Sequence, residues 1–337
     1  MPLSTGGSPR FRKPDSIEPV KTTDTPPADP SPAAEELLRL AVDAHESGDI
    51  AAAEAAYRDA AEAGNVVAAF QLGVILQTRG SYELAAAAYA PAAASGDTEA
   101  VLNLAILLAY ELGRPDEAIA LLRELALLGD VRGWLELGML YAHQGGFTEA
   151  ETVLRNALDD EPRAHMALGS VLSAMDRHED ALTSYRAAVA QAVDGAWSGV
   201  AWELMRLGRL EAAEDAATRG VAAQDPGAGG VLGVILRQRG RSDEAAAAFE
   251  AALERGEPAW LAYGDLLAES EGREDAAEAA YAQAIKHGEA DAGTALVKFL
   301  VERGREDDVR DLIADQLALR PDDEGLRRLL ESLPPAA

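Results

Sequence analysis

Residues 131–162 read VRGWLELGMLYAHQGGFTEAETVLRNALDDEP, and the spacing of small and large side chains in this stretch decides the fold. Trp134, Leu137, Gly138 and Tyr141 stand at i, i+3, i+4 and i+7, the stripe of one helix face. Ala150, Leu154 and Ala157 form a second stripe, Gly145-Gly146 lies between the two, and Pro162 closes the unit. The stretch spells a helix, a tight turn, a second helix and a stop.

The same unit recurs outward in both directions. The inter-helix turn residue appears at Gly48, Gly80, Gly113, Gly145, Asp176, Gly208, Gly240, Gly272 and Gly304, in steps of 31 to 33 residues. A fixed step of this size marks a stacked-repeat array. Five residues after each turn stands a small residue: Ala53, Ala85, Ala118, Ala150, Ala181, Ala213, Ala245 and Ala277, then Val309. Four further on stand Tyr57, Tyr89, Leu122, Leu154, Tyr185, Ala217, Phe249, Tyr281 and Ile313, and three beyond those come mostly small residues again, such as Ala60, Ala92 and Ala252. These offsets share one face of the second helix. The small residues let backbones approach, and the large one is expected to fill the groove between repeats. In the first helix a small residue recurs as Gly73, Ala105, Gly138, Gly169, Ala201, Gly233 and Gly264.

Each unit is two helices of about 13 residues, each about 20 Å long. Short turns make neighbours antiparallel. The expected organisation is a Pro/Ser/Thr-rich disordered arm over 1–33, about nine units over 34–320, a C-terminal capping helix over 321–333 and a disordered tail over 334–337. The ninth unit, with Val309 and Gln316, departs from the pattern as terminal repeats do.

Trp134-x2-Leu137-Gly138-x2-Tyr141…Ala150…Leu154…Ala157…Pro162 closely resembles the tetratricopeptide repeat (TPR) signature. The unit ends Ala60–Asn65, Ala92–Asp97 and Gly129-Asp130 resemble those of Sel1-like repeats. The resemblance covers roughly 34–333. It implies an all-α solenoid wound as a right-handed superhelix, and a non-enzymatic adaptor that holds a peptide or partner protein on its concave face. That face would be lined by first-helix residues. In the family's register these are Phe70, Val74 and Gln77; Leu102 and Ile106; Leu135, Met139 and His143; Met166 and Ser170; Ser198, Trp202 and Arg206; Val234, Arg237 and Gln238. Trp202 stands apart, because Trp197 already supplies the signature aromatic of its unit. It is either extra core or an exposed anchor of the kind that dominates interfaces. Relatives that clamp an acidic chaperone tail use Lys and Asn at inner positions. Here those positions are apolar or acidic apart from Asn103, which disfavours that ligand.

Composition narrows the function further. Apolar residues are 48% of the 337 but aromatics only 5%, and much of the apolar share is alanine, a strong helix former. The absence of cysteine excludes disulfides and thiolate metal sites. The N-terminus lacks the apolar core of a secretory signal, and no apolar run is long enough to span a membrane, so the cytoplasm is the expected compartment. The net charge is −28, and in residues 1–33 four basic residues balance four acidic ones, so the whole excess lies on the array. Such a surface repels nucleic acid and anionic lipid, and favours a partner that is neutral, apolar or basic. Nothing in the sequence sets an oligomeric state.

No cofactor is expected. There is no Gly-x4-Gly-Lys-Ser/Thr loop, and Gly227-Ala228-Gly229-Gly230 follows no strand, so these glycines read as close-packing positions. The five histidines show no helical metal spacing, and no metal site is expected. Repeats account for about 300 residues and leave no inserted catalytic segment, so no enzyme is expected. The alternative to a scaffold is a regulatory sensor whose groove is controlled by a ligand or by the arm itself. The arm's Arg10-Phe11-Arg12-Lys13 joins an aromatic to three cations in an otherwise acidic chain.

Overall fold

The computed structural model describes residues 31–319 together with Arg327 and Leu330, and among these every regular element is a helix. The chain divides into two compact units, Met1–Glu136 and Leu137–Ala337, the division falling inside a helix. The first unit holds α1 (Pro32–Glu46), α2 (Ile50–Glu62), α3 (Val66–Thr78), α4 (Tyr82–Ala94), α5 (Thr98–Ile106) and α6 (Pro115–Leu127). Helix α7 (Val131–His143) carries the division. The second unit continues with α8 (Phe147–Leu154), α9 (Arg163–Ala174), α10 (His178–Ala190), α11 (Ala196–Arg206), α12 (Leu210–Ala222) and α13 (Ala228–Gln238). It ends with α14 (Ser242–Glu254), α15 (Trp260–Ala268), α16 (Glu274–Lys286), α17 (Ala292–Glu302) and α18 (Glu306–Leu319). Within each unit consecutive helices pack on one another, the pairing that short turns impose.

Helix α1 starts at Pro32, two residues before the expected array boundary, because Ser31 caps it through Ala34 N–H and Pro32 suits the first helical position. The arm over residues 1–30 lies outside the described residues, as does the capping helix apart from Arg327 and Leu330. Both of those are helical, and Leu330 packs against the C-terminal core.

All nine turn residues read from the sequence have positive φ, between 57° at Asp176 and 81° at Gly48. Asp176 holds the one turn where a Cβ is present, and Asp is among the few residues that tolerate this region. A second set of positive-φ residues lies halfway between them, at Gly64, Gly96, Gly129, Ala192, Gln224, Gly256 and Gly288. The 32-residue period is thus two near-equal steps of helix and turn. The single 33-residue step, from Gly80 to Gly113, has a local cause. A π-helical turn over Leu107–Glu111 follows α5 and absorbs the extra residue, with Leu112 N–H bonding Leu107 C=O five positions back.

The ladders form the core. Every residue of the first ladder, from Ala53 to Val309, is fully buried. The large residues do not simply fill the space between repeats, as the sequence suggests. They press on the small first-helix residue of their own unit: a Cβ added to Gly73 would stand 2.6 Å from the Tyr89 ring, one on Gly138 2.5 Å from Leu154, and one on Gly233 2.5 Å from Phe249. Tyr185 is gripped from both sides, by Gly169 within its unit and Gly199 in the next. Their hydroxyls find first-helix partners: Tyr89 donates to Gln77 at 2.8 Å, Tyr281 to Asp265 at 2.9 Å, and Tyr185 pairs with Ser170 at 3.1 Å.

Helix starts are capped in two ways. In the first unit Asn65, Asp97 and Asp130 directly precede a first helix and cap it locally, through Ala68, Ala100 and Arg132 N–H. In the second unit Glu161 still caps locally, through Arg163 N–H, but after α12, α14 and α16 the carboxylates stand three residues before the next first helix and reach back to the previous first helix. Asp225 accepts from Trp197 and Ser198 N–H, Glu257 from Gly229 and Gly230, and Glu289 from Trp260 and Leu261. An arginine ladder joins the second helices. Arg114, Arg177, Arg241 and Arg305 each bind an acid three residues ahead (Glu117, Asp180, Glu244, Asp308) and one on the preceding second helix (Glu83, Glu151, Glu214, Glu278).

Candidate functional site

In the first unit the expected concave positions are mostly occupied in packing. Leu102 and Leu135 are buried. Phe70 is half-buried and tilts against Tyr89 at 5.7 Å between ring centres; Val74 and Ile106 are half-buried too. Gln77 is the acceptor of the Tyr89 hydroxyl.

The second unit is more open. Its first helices α9, α11, α13, α15 and α17 lie side by side, each touching the next. Trp202 on α11 is 40% exposed and Met139 on α7 43%, so Trp202 is surface rather than additional core. Met166 and Val234 are half-buried, and His143 is exposed. Trp197 is the packed tryptophan: its Cβ closes on Gly220 and its ring lies under the Arg219 guanidinium at 5.9 Å.

Beside Trp202 lies a polar cluster that the sequence reading did not anticipate. Glu203 is 1% exposed and accepts from Ser173 Oγ at 2.6 Å and His178 Nδ1 at 2.8 Å. With the proton on Nδ1, His178 Nε2 faces the Arg206 guanidinium at 3.5 Å as an acceptor. Arg206 also donates to Asp176 Oδ1 at 3.3 Å. A carboxylate buried this deeply is tolerated because it is hydrogen-bonded at both oxygens. The order Ser–Glu–His, with the carboxylate between the other two, keeps the imidazole from the serine and suits positioning rather than nucleophilic chemistry.

Arg237 is likewise committed. It holds Glu269 through Nη2 at 2.5 Å and Nε at 3.0 Å, and Asp265 through Nη1 at 3.5 Å. The hydrogen bond from Arg237 keeps the Glu269 carboxyl below the ordinary carboxylate range, and the guanidinium is raised in return. The basic residues expected on the wall are thus neutralised by the chain's own acids. Ser198 caps across to Asp225 and Ser170 serves Tyr185. The signal for such pairing was present in the sequence as acids one unit away from each arginine. Among the described residues no group of three His, Asp or Glu side chains could hold a metal ion, and no helix is long and apolar enough to cross a membrane.

The comparisons with known proteins agree with this architecture. A tetratricopeptide repeat family model matches six overlapping stretches, 70–133, 103–165, 135–196, 166–229, 199–258 and 231–294, which together span well over half of the chain. No curated protein matches it. Among solved structures, a tetratricopeptide repeat protein from Parabacteroides merdae is 20% identical, covers 66% of this chain and 93% of its own, and superposes with a TM-score of 0.51, a likeness of fold. A thermophilic TPR protein of Thermus thermophilus is 27% identical over 51% of this chain and 97% of its own, with a TM-score of 0.42. The Cut9-Hcn1 hetero-tetramer of the APC/C is 13% identical over 89% of this chain and 90% of its own, with a TM-score of 0.48.

Proposed function

The chain belongs to the tetratricopeptide repeat family, and we propose that it is a non-enzymatic scaffold holding a protein or peptide partner on the first-helix faces of its second unit. The observation that carries this reading is Trp202. A tryptophan 40% exposed on α11 is a large apolar anchor in the register that faces partners in this family, and it sits on a rigid base. Glu203, the next residue, is locked to α9 through Ser173 and to α10 through His178, so the backbone under the indole is fixed. Anchors of this kind dominate interface energetics because little side-chain freedom is lost when they dock.

The electrostatics favour the class of partner. Arg206 and Arg237 are tied up by Asp176, Asp265 and Glu269, so they do not attract anions, and the chain as a whole carries −28. A partner with an apolar side chain for Trp202 and a neutral or basic flank meets no like-charge repulsion. A pull-down from native lysate with wild type and Trp202→Ala, read by mass spectrometry, tests the reading. Trp202→Ala should lose at least one partner while its thermal midpoint stays close to that of wild type. Identical partner sets would remove the α11 face from the contact surface.

A further inference from the structure

A trough in the first unit has no part in the surface described above. It runs between α4 and α6, both second helices, and is floored by Leu104 of α5 and Leu108 of the π-turn. It consists of two adjoining hollows of about 310 and 470 Å³ that share Ala90, Leu104 and Leu121. Each volume lies in the range that holds a compact ligand or several side chains. Leu128, which lines one hollow at the end of α6, is 77% exposed. In so acidic a chain, an apolar trough of this size with an open leucine at its rim marks a surface that something covers.

The charges on the walls select the occupant. Glu83, Glu117, Glu124 and Asp130 line the hollows; Arg114 pairs with Glu83 and Glu117 and Arg132 with Asp130, which leaves the acids in excess by two. A segment that fills the trough must be apolar with basic neighbours, which is the composition of residues 10–21, RFRKPDSIEPVK. Phe11, Ile17 and Val20 are its large apolar residues, and four cations outnumber two acids.

Reach allows the match. From Lys21 to Ser31, at the start of α1, ten residues span up to about 33–36 Å. Helix α4 is three helices on from α1 in the same unit, and packed helices lie about 8–10 Å apart, so the path is about 30 Å or less. We infer that residues 10–21 of the chain's own N-terminal segment cover the α4–α6 trough, with Phe11 and its neighbours in the hollows and the flanking cations on the acidic walls. This places the segment on second helices of the first unit, and it stands independently of the partner-binding reading.

The chain has no cysteine, so pairs of introduced cysteines report without background. In full-length protein, Ser16→Cys is combined with Ala90→Cys, on the exposed trough wall, or with Ala55→Cys, on the exposed surface of α2 nearer the segment's root. A loose tether closes on the nearer site first, because effective concentration falls with distance. Docking inverts that order: the Ala90 pair should close within one chain about tenfold faster than the Ala55 pair. Replacing Phe11, Ile17 and Val20 by serine should abolish the advantage. Equal or faster closure at Ala55 would overturn the inference. So would an advantage that survives the serine substitutions, or disulfides that join two chains instead of closing one, since a second copy would then be the occupant. If the Ala90→Cys chain does not fold, Ala87→Cys on the same exposed wall takes its place.

Discussion

A methyl group on Gly73 has nowhere to go. It would meet the ring of Tyr89, which is buried and whose hydroxyl is tied to Gln77, so the ring cannot swing aside. Gly73→Ala gains about 1 kcal/mol of helix propensity. Overpacking of a tight core costs about 1–3 kcal/mol, and with a locked ring the upper part of that range applies. The substitution should lower stability by about 1–2 kcal/mol, seen in urea as a lower midpoint with an unchanged slope. Adding Tyr89→Leu should recover part of the loss, since the next unit carries Ala105 and Leu122 at these positions. The recurrence of this small–large pair was legible in the sequence as two ladders in step. Which helix the large residue presses on was not, because spacing shows a shared face and not the surface it meets. Trp202 shows the same limit: two tryptophans five residues apart point to two surfaces, and only the packed structure says which one is open.

At the scale of a helix, the turn carboxylates divide the array. Asp97 stands directly before α5, whereas Glu289 stands three residues before α17 and turns back to α15. Removing either loses a cap worth about 1–2 kcal/mol, but the damage falls in different places. Asp97→Ala should speed amide exchange at the start of its own helix α5. Glu289→Ala should instead speed exchange at Trp260 and Leu261, nearly thirty residues upstream, and leave the start of α17 less affected. Exchange accelerated only next to residue 289 would refute the back-reaching cap. The 32-residue recurrence of these acids is plain in the sequence. Their direction depends on how many residues separate acid from helix, and before α13 and α17 the added residues include a positive-φ turn at Gly227 and Asp291. The π-turn is a similar case, since a longer turn would give the same 33-residue step.

Over the whole molecule the arginine ladder sets the response to acid. Hydrogen bonds from Arg114, Arg155, Arg241 and Arg237 hold the carboxyls of Glu117, Glu151, Glu244 and Glu269 below their ordinary range. A carboxyl lowered on folding contributes stability that is complete above its unfolded pKa and is lost as pH falls through the folded one. A net gain of protons as pH falls also relieves repulsion in a chain of charge −28. Thermal midpoints should therefore hold or rise slightly from pH 7 to about pH 5, then fall below about pH 4. Arg177→Ala, which takes a partner from Glu151, should make the acid limb shallower. A midpoint that drops steadily from neutrality would contradict this order. Each pair reaches solvent through at least one partner and is individually weak, so the effect rests on their number.

Synthesis from the N-terminus gives the two capping modes unequal fates. A nascent α3 or α5 meets its cap in the residue just before it and can close its first turn as soon as it leaves the ribosome. Helix α11 must wait for Asp225, α13 for Glu257 and α15 for Glu289, each supplied by the repeat still being made. The later repeats mature one step behind their own translation, and until the next turn emerges the newest helix start is open to water or to a passing chaperone.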